Sequence, residues 1–220
     1  MGGSIFPVLA SFSLLINPFI TYLNPPISEV QDRELAVREM SLENRQSDRF
    51  TNDVFKDNIL LNLAYMRGIA VQPQSVDWNE VRKPFSYTFK LSPNQTFAFH
   101  DSVLPEYEGK VTKTTNAHFN FQEGFKTDGY LFGDGVCHLA SVINWVAKDA
   151  NLKVYAPTSH DFAVVPGIEA KYGVSIYNQN GATVSNQLQN LYITNDHNKT
   201  VKFTFDYKNN ILKVTSSEEI

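Results

Sequence analysis

The hydrophobic period of the chain changes several times, and these changes constrain the fold more than any other feature of the sequence. Between positions 51 and 68 apolar residues recur every three or four positions, which is typical of a helix with one buried face. FSYTFKL (85–91) and QTFAFH (95–100) instead alternate apolar and polar residues, as half-buried strands do. A second helical pattern, GDGVCHLASVINWVAKDAN (133–151), is followed by four runs rich in β-branched and aromatic residues: 172–177, 190–195, 201–207 and 211–215.

The order of these patterns is helix, strands, helix, strands. A doubly wound parallel fold would alternate strands and helices regularly, so the order favours an α+β domain with a mostly antiparallel sheet. Against this sheet packs a helix that carries the single cysteine at its N-terminus. Lys208, Asn209 and Asn210 separate the last two runs and predict a hairpin turn.

The N-terminal part of the chain has a different character. Residues 4–23 contain no charged side chain and have about the length that a helix needs to cross a bilayer. We therefore expect a hydrophobic helix within a membrane anchor or signal, residues 1–26, although a cleaved signal and a buried helix remain alternatives. Residues 27–50 alternate Glu, Asp and Arg and predict a solvated stalk or linker, which leaves 51–220 as the α+β domain.

Composition excludes several classes of function. The net charge is −4 and the basic residues form no stripe, so we expect no nucleic-acid partner. Neither a phosphate-binding Gly-Lys-Ser/Thr loop nor a G-x-G-x-x-G turn is present, and the five histidines lack the spacing of a zinc helix. We therefore expect no cofactor and no metal. With one cysteine the chain can form no internal disulfide bond.

Cys137 falls in the first turn of the second predicted helix. Asp134 or Gly133 is the expected N-cap, and Gly135 would let a ligand approach the main chain. The positive end of a helix dipole favours a thiolate, so this position predicts a lowered cysteine pKa. The alternative is that Cys137 is simply a small residue of the core. His138 is adjacent, but on a helix it points about 100° away and is a poor base for the thiol.

A nucleophilic cysteine also needs a base and a residue that orients the base. His160, at the start of an expected strand, is the candidate base. Asn195 is the candidate orienting residue, with Asp161 and Asp196 as alternatives. The order Cys, His, Asn or Asp is the one that papain-like folds use. A histidine satisfied by local contacts and a turn asparagine remain the simpler interpretations of these residues.

GDGVCHLASVINWVAKDANLKV, SHD and NQLQNLYITNDHNKTVKFTF together resemble the VanW-like family. Its hallmarks are a G-G-V-C segment that opens a helix, a downstream His-Ser, and a strand that ends in Asn before a hairpin. DNILLNLAYMRGIAVQPQ, NQTFAFHD and DGYLFGDG are also similar, so the resemblance covers about residues 55–215. It assigns the family's cysteine, glycine, histidine and asparagine to Cys137, Gly135, His160 and Asn195. His138 stands where the family typically has Gln.

The resemblance implies a bacterial protein that is exported or membrane-anchored, in a family named for its association with vancomycin-type resistance. Two functions follow as hypotheses. One is a cysteine-dependent acyl-transferase or amidase that acts on peptidoglycan or a related peptide. In it, main-chain N–H groups of Gly135, Val136 and Cys137 would stabilise the oxyanion. The other is a non-catalytic accessory module that binds cell-wall peptide or a partner protein, attached to the membrane through residues 4–23.

Overall fold

A computed structural model describes residues 1–2, 32–70, 76–129, 132–178 and 183–220. The mixed α+β class is confirmed. The predicted hydrophobic helix lies outside these residues. Within the described ranges, no helix combines the length and the apolar character that crossing a membrane requires. The helices and strands are, in chain order, β1 (Asp32–Ser41), α1 (Arg49–Met66), α2 (Trp78–Val81), β2 (Phe85–Leu91), β3 (Thr96–Ala98), β4 (Val111–Lys113), α3 (Val136–Asp149), β5 (Lys153–Tyr155), α4 (Thr183–Leu188), β6 (Tyr192–Thr194), β7 (Val201–Lys208) and β8 (Ile211–Glu219).

The strands form two four-stranded sheets rather than one. The first has the order β1-β8-β7-β2 and is antiparallel throughout. The second has the order β4-β3-β6-β5, with β3 and β4 parallel and the other pairs antiparallel. The predicted turn joins β7 to β8, and Asn209 and Asn210 there have φ values of 51° and 59°. Asparagine tolerates this left-handed region, which two-residue hairpin turns require.

The prediction of a solvated stalk was wrong for residues 32–41, which form β1 and pair with β8. Ala36 and Met40 are buried, whereas Arg38 between them is half-buried and Glu39 is exposed. The strand therefore buries few apolar side chains. Its stability depends on main-chain pairing with β8, which lies about 180 residues away in the sequence. The following helix, α1, begins earlier than the helical pattern that starts at position 51, because its N-cap is Asp48, whose carboxylate accepts a hydrogen bond from Thr51 N–H.

Aromatic side chains join the two sheets. The Phe89 ring on β2 stacks on Phe203 of its own sheet at 5.3 Å and on Phe97 of the second sheet at 5.2 Å. Phe97 and Phe203 are fully buried. Stacked pairs at these distances stabilise a core beyond the burial of their area. Helix α3 packs against β1 and β8 of the first sheet and β5 of the second, so both sheets hold the helix.

The predicted strand at 172–177 is also wrong. Residues 170–172 form a 3₁₀ turn, and Val174 makes only an isolated bridge with Ser159. His160, expected at the start of a strand, lies instead in an irregular loop. The N–H groups of Val174 and Ile176 donate to side chains of α3, while Ser175 N–H donates to the Thr158 carbonyl oxygen, and this arrangement covers the cysteine.

Candidate functional site

A cleft of about 550 Å³ opens over the N-terminus of α3, and we call it the Cys137 cleft. Gly133–His138 form one wall, and His160, Phe162 and Ile176 lie on its lining with Phe55. The N-cap is Gly135, one or two residues later than expected, with φ +99°. A Cβ atom there would lie 2.7 Å from the carbonyl oxygen of Phe55. Glycine is therefore needed both for the left-handed backbone and for the close packing of α3 against α1.

The thiol of Cys137 is held by one residue of the loop above it. Its Sγ accepts a hydrogen bond from Ile176 N–H at 3.3 Å and donates to Ile176 carbonyl oxygen at 3.6 Å. Ser141, one turn further along α3, donates to the Cys137 carbonyl oxygen at 2.7 Å and accepts from Val174 N–H at 3.0 Å. Side chains of α3 thus use two of the three N–H groups of 174–176, which limits the pairing of this segment with another strand.

The predicted thiolate is not what this environment favours. Burial is the main cause that raises the pKa of the Cys137 thiol to about 11; hydrogen bonding to Ile176 opposes it, and the negative charge of Asp134 adds to it by a smaller amount. The helix N-terminus would act in the opposite direction, by an amount that is commonly below 1–2 kcal/mol. Desolvation of an anion dominates here, so the expectation of a lowered pKa was wrong. The thiol is neutral at pH 7.

His160 lines the same cleft, so the structure does bring the predicted nucleophile and base to one cavity. Its Nδ1 donates to Ala163 carbonyl oxygen at 3.0 Å, which leaves Nε2 as the acceptor nitrogen. Burial lowers the pKa of the ring, and the imidazole is neutral. Within the described part of the chain, however, no hydrogen bond joins the His160 ring to the Cys137 sulfur, whose contacts go to Ile176.

Asn195 does not orient His160. It is fully buried just after β6, and its amide donates to the carbonyl oxygens of Leu91 and Lys199, both at 2.8 Å, while its oxygen accepts from His197 N–H at 3.0 Å. Each of these hydrogen bonds joins the side chain to the main chain, either of β2 or of the turn before β7. These contacts do not support the predicted role of orienting His160, and they join β2 to the turn before β7.

The two alternative orienting residues are also elsewhere. Asp161 follows His160 but is exposed, and its charge only slightly favours protonation of the ring. Asp196 is exposed and accepts a hydrogen bond from Lys153 N–H at 3.1 Å on β5. Neither carboxylate is hydrogen bonded to the imidazole. The part of the chain that the structure describes thus provides a Cys and a His without a third catalytic partner.

Two residues of the cleft were not identified from the sequence. His138 was set aside as a poor base, yet its ring is 3% exposed, lines the cleft, and lies with its centroid 6.2 Å from that of His160. Asp134 was considered only as a cap, but its half-buried carboxylate lines the cleft and burial raises its pKa to about 6. In sequence, His138 is adjacent to Cys137 and Asp134 lies three residues before it. That adjacency was the available signal, because the first turn of a helix presents consecutive residues around one end.

Among the described residues, no three His, Cys, Asp or Glu side chains form a group suited to hold a metal ion.

A family model described as "VanW like protein" matches residues 87–216, which is more than half of the chain. The chain belongs to the VanW-like family. No curated protein and no solved structure matches it. The VanW-like match includes Gly135, Cys137, His160 and Asn195, but it excludes β1 and Phe55. Membership links the chain to proteins associated with vancomycin resistance.

Proposed function

We propose that the chain is a non-catalytic binding module of the bacterial cell envelope that holds a cell-wall peptide in the Cys137 cleft. The observation that carries this proposal is the state of the thiol. Its sulfur is hydrogen bonded to Ile176 through both the N–H and the carbonyl oxygen, and its pKa is raised to about 11. A group in this state contributes to the wall of a site and is a weak nucleophile.

The lining of the cleft suits a peptide. Aromatic rings of Phe55 and Phe162 supply apolar walls, and amides of Asn120 and Asn178 supply polar groups. The Nδ2 atom of Asn178 is buried and has no hydrogen-bond partner, although its oxygen accepts from Asn186 at 2.9 Å. A site with apolar walls and a few polar groups is the usual form of a small-ligand site of this volume. Peptide groups would satisfy the unpaired amide.

A place at the cell envelope is part of the proposal. It is supported by family membership and by the uncharged stretch of residues 4–23, which suits a membrane anchor or an export signal. Such a stretch would keep the domain outside the cytoplasm, next to peptidoglycan.

The test is a calorimetric titration of the full chain with the synthetic stem peptide L-Ala-γ-D-Glu-L-Lys-D-Ala. Phe162→Ala and Phe121→Ala form a matched pair, because the side chains are 72% and 69% exposed and only Phe162 lines the Cys137 cleft. Phe121 lines a neighbouring cavity of about 840 Å³. We expect Phe162→Ala to weaken binding about tenfold and Phe121→Ala to leave it unchanged. No binding by the wild type, or equal effects of the two variants, would contradict the proposal.

The catalytic alternative has one observation in its favour. Cys137 and His160 share a cleft, and Nε2 of His160 is free to accept a proton. In that mechanism His160 would take the thiol proton, the sulfur would attack an amide carbonyl, and the proton would pass to the leaving amine. Mass analysis of the stem peptide after incubation separates the two functions. Cleavage or transfer that is lost in Cys137→Ala and in His160→Gln would favour catalysis, and an intact peptide favours binding.

A further inference from the structure

Arg45 is an unusual buried cation. It is 2% exposed, in the loop between β1 and α1, and its Nε and Nη1 atoms have no hydrogen-bond partner. Nη2 donates to Asn44 at 2.9 Å, and no carboxylate among the described residues forms an ion pair with the guanidinium. Buried charges in proteins are ordinarily paired, so this cation lacks the anion that would balance it. The next residue, Gln46, lines the Cys137 cleft.

His138 is a second buried group without a partner, and it lies on the cleft itself. Its side chain is 3% exposed, its ring packs 5.1 Å from Phe55, and its Nδ1 has no hydrogen-bond partner. Burial and, after it, the charge of Arg45 lower the pKa of this ring to about 3. His138 therefore both lines the cavity and lies within range of the charge of Arg45.

The end of α3 adds a third contribution of the same sign. In its first turn Val136 and His138 donate their N–H groups to the carbonyl oxygens of Gly133 and Gly135, whereas Cys137 N–H donates to no main-chain carbonyl among the described residues and faces its own sulfur. Unpaired N–H groups at the start of a helix favour an anion. By itself a helix N-terminus is no site, but here its first turn carries His138, a buried side chain that lines the cleft and whose Nδ1 has no hydrogen-bond partner.

We propose that the floor of the Cys137 cleft is a carboxylate-binding subsite, in which His138 Nδ1–H donates to the anion and the buried Arg45 balances its charge. The inference rests on the proposed binding of a cell-wall peptide, and it names the group of that peptide that is recognised. A neutral polar ligand would satisfy His138 but would leave the buried cation without a counter-charge. Asp134 also lines the cleft, and repulsion by its carboxylate disfavours an anion that lies close to it.

The stem peptide offers two carboxylates, its C-terminus and the α-carboxylate of its D-Glu, and the test distinguishes them. Four versions of L-Ala-γ-D-Glu-L-Lys-D-Ala are titrated into the full chain: the free acid, the C-terminal amide, the D-Glu α-amide and the diamide. We expect one of the two single amides to bind at least tenfold more weakly than the free acid, and the diamide to bind as weakly. Binding of all four with equal affinity would overturn the carboxylate subsite while leaving peptide binding intact. No binding of any of them would overturn both proposals.

Substitutions of His138 and Arg45 test whether these two residues form the subsite. His138→Phe keeps an aromatic ring beside Phe55 and removes Nδ1, so we expect it to bind the free acid and the diamide equally. Arg45→Gln should also bind the free acid and the diamide equally. Arg49→Gln is its control, because this substitution removes the same charge from an exposed position at the start of α1. Circular dichroism confirms folding. Should both variants fail to fold, the amide series on the wild type decides alone. A folded His138→Phe that still discriminates the amides as the wild type does would overturn the assignment.

Discussion

The pH dependence of Cys137 alkylation tests the state of the thiol. Burial raises its pKa from 9.0 to about 11, so at pH 7.5 the thiolate fraction falls by about 100-fold relative to a free cysteine. A more basic thiolate is also a better nucleophile, and for two pKa units this recovers about a factor of ten. The folded protein should therefore react about tenfold more slowly than the unfolded chain at pH 7.5, before any steric shielding by Ile176.

The assay is the rate of iodoacetamide addition, followed by intact mass between pH 6 and pH 10. For the native chain the logarithm of the rate should rise with unit slope up to pH 10 without a plateau. The same chain in denaturant should level off near the pKa of a free thiol. The raised pKa also makes stability depend on pH. Because folding raises the pKa of the thiol, its ionisation destabilises the fold as pH rises from about 9 toward 11.

His160→Gln is the decisive variant, and Asp161→Asn is its control, since Asp161 is exposed and makes no hydrogen bond to the ring. We expect both to leave the profile unchanged. A plateau below pH 8 in the wild type that moves in His160→Gln would show a thiolate–imidazolium pair. That result would refute the neutral thiol and the reasoning from desolvation.

Three further predictions concern stability, and chemical denaturation measures each. Gly135→Ala should cost about 2–4 kcal/mol because its Cβ would meet Phe55, while Gly109→Ala, with φ +72° and open space, should cost about 1 kcal/mol; equal costs would contradict the packing argument. Asn195→Ala should cost about 2–4 kcal/mol by leaving three main-chain groups unpaired, with peptide binding unchanged; lost binding in a stable variant would return Asn195 to the site. The Asp134 carboxyl has a pKa raised to about 6, so its ionisation destabilises the fold as pH rises from about 4 to 6. Asp134→Asn should then stabilise by about 1 kcal/mol at pH 7.5, after allowance for solvent screening, and by nothing at pH 3.5; an equal effect at both would exclude an electrostatic cause.

Local patterns were sufficient for most regular elements of the fold. The alternation in FSYTFKL and VKFTFDYK became β2 and β7, and the period of three and four around Cys137 became α3. Strand β1 was missed because its buried residues are few and its charged residues resemble those of a linker. Its partner β8 is at the other end of the chain, and no local pattern reports such pairing.

The site was only partly predictable, since its chemistry depends on what covers it. The position of Cys137 at a helix start was predicted, but the sign of its pKa shift was set by the loop of Ile176, whose path cannot be seen in the sequence. Asn195 does stand at the end of a strand, as expected, yet its hydrogen bonds go to the main chain of adjacent loops. Arg45 gave no sequence signal, and the adjacency of His138 to Cys137 did not show that its ring lacks a partner, because a missing partner is a property of the folded state.

The central claim is that the Cys137 cleft binds a cell-wall peptide reversibly and does not react with it. Mass spectrometry of the full chain with L-Ala-γ-D-Glu-L-Lys-D-Ala, under native and then denaturing conditions, tests it in one measurement. The account predicts a complex with the mass of the chain plus the intact peptide, which disappears on denaturation. An adduct on Cys137 that survives denaturation and lacks the mass of a leaving amine, or the absence of any complex, would contradict it.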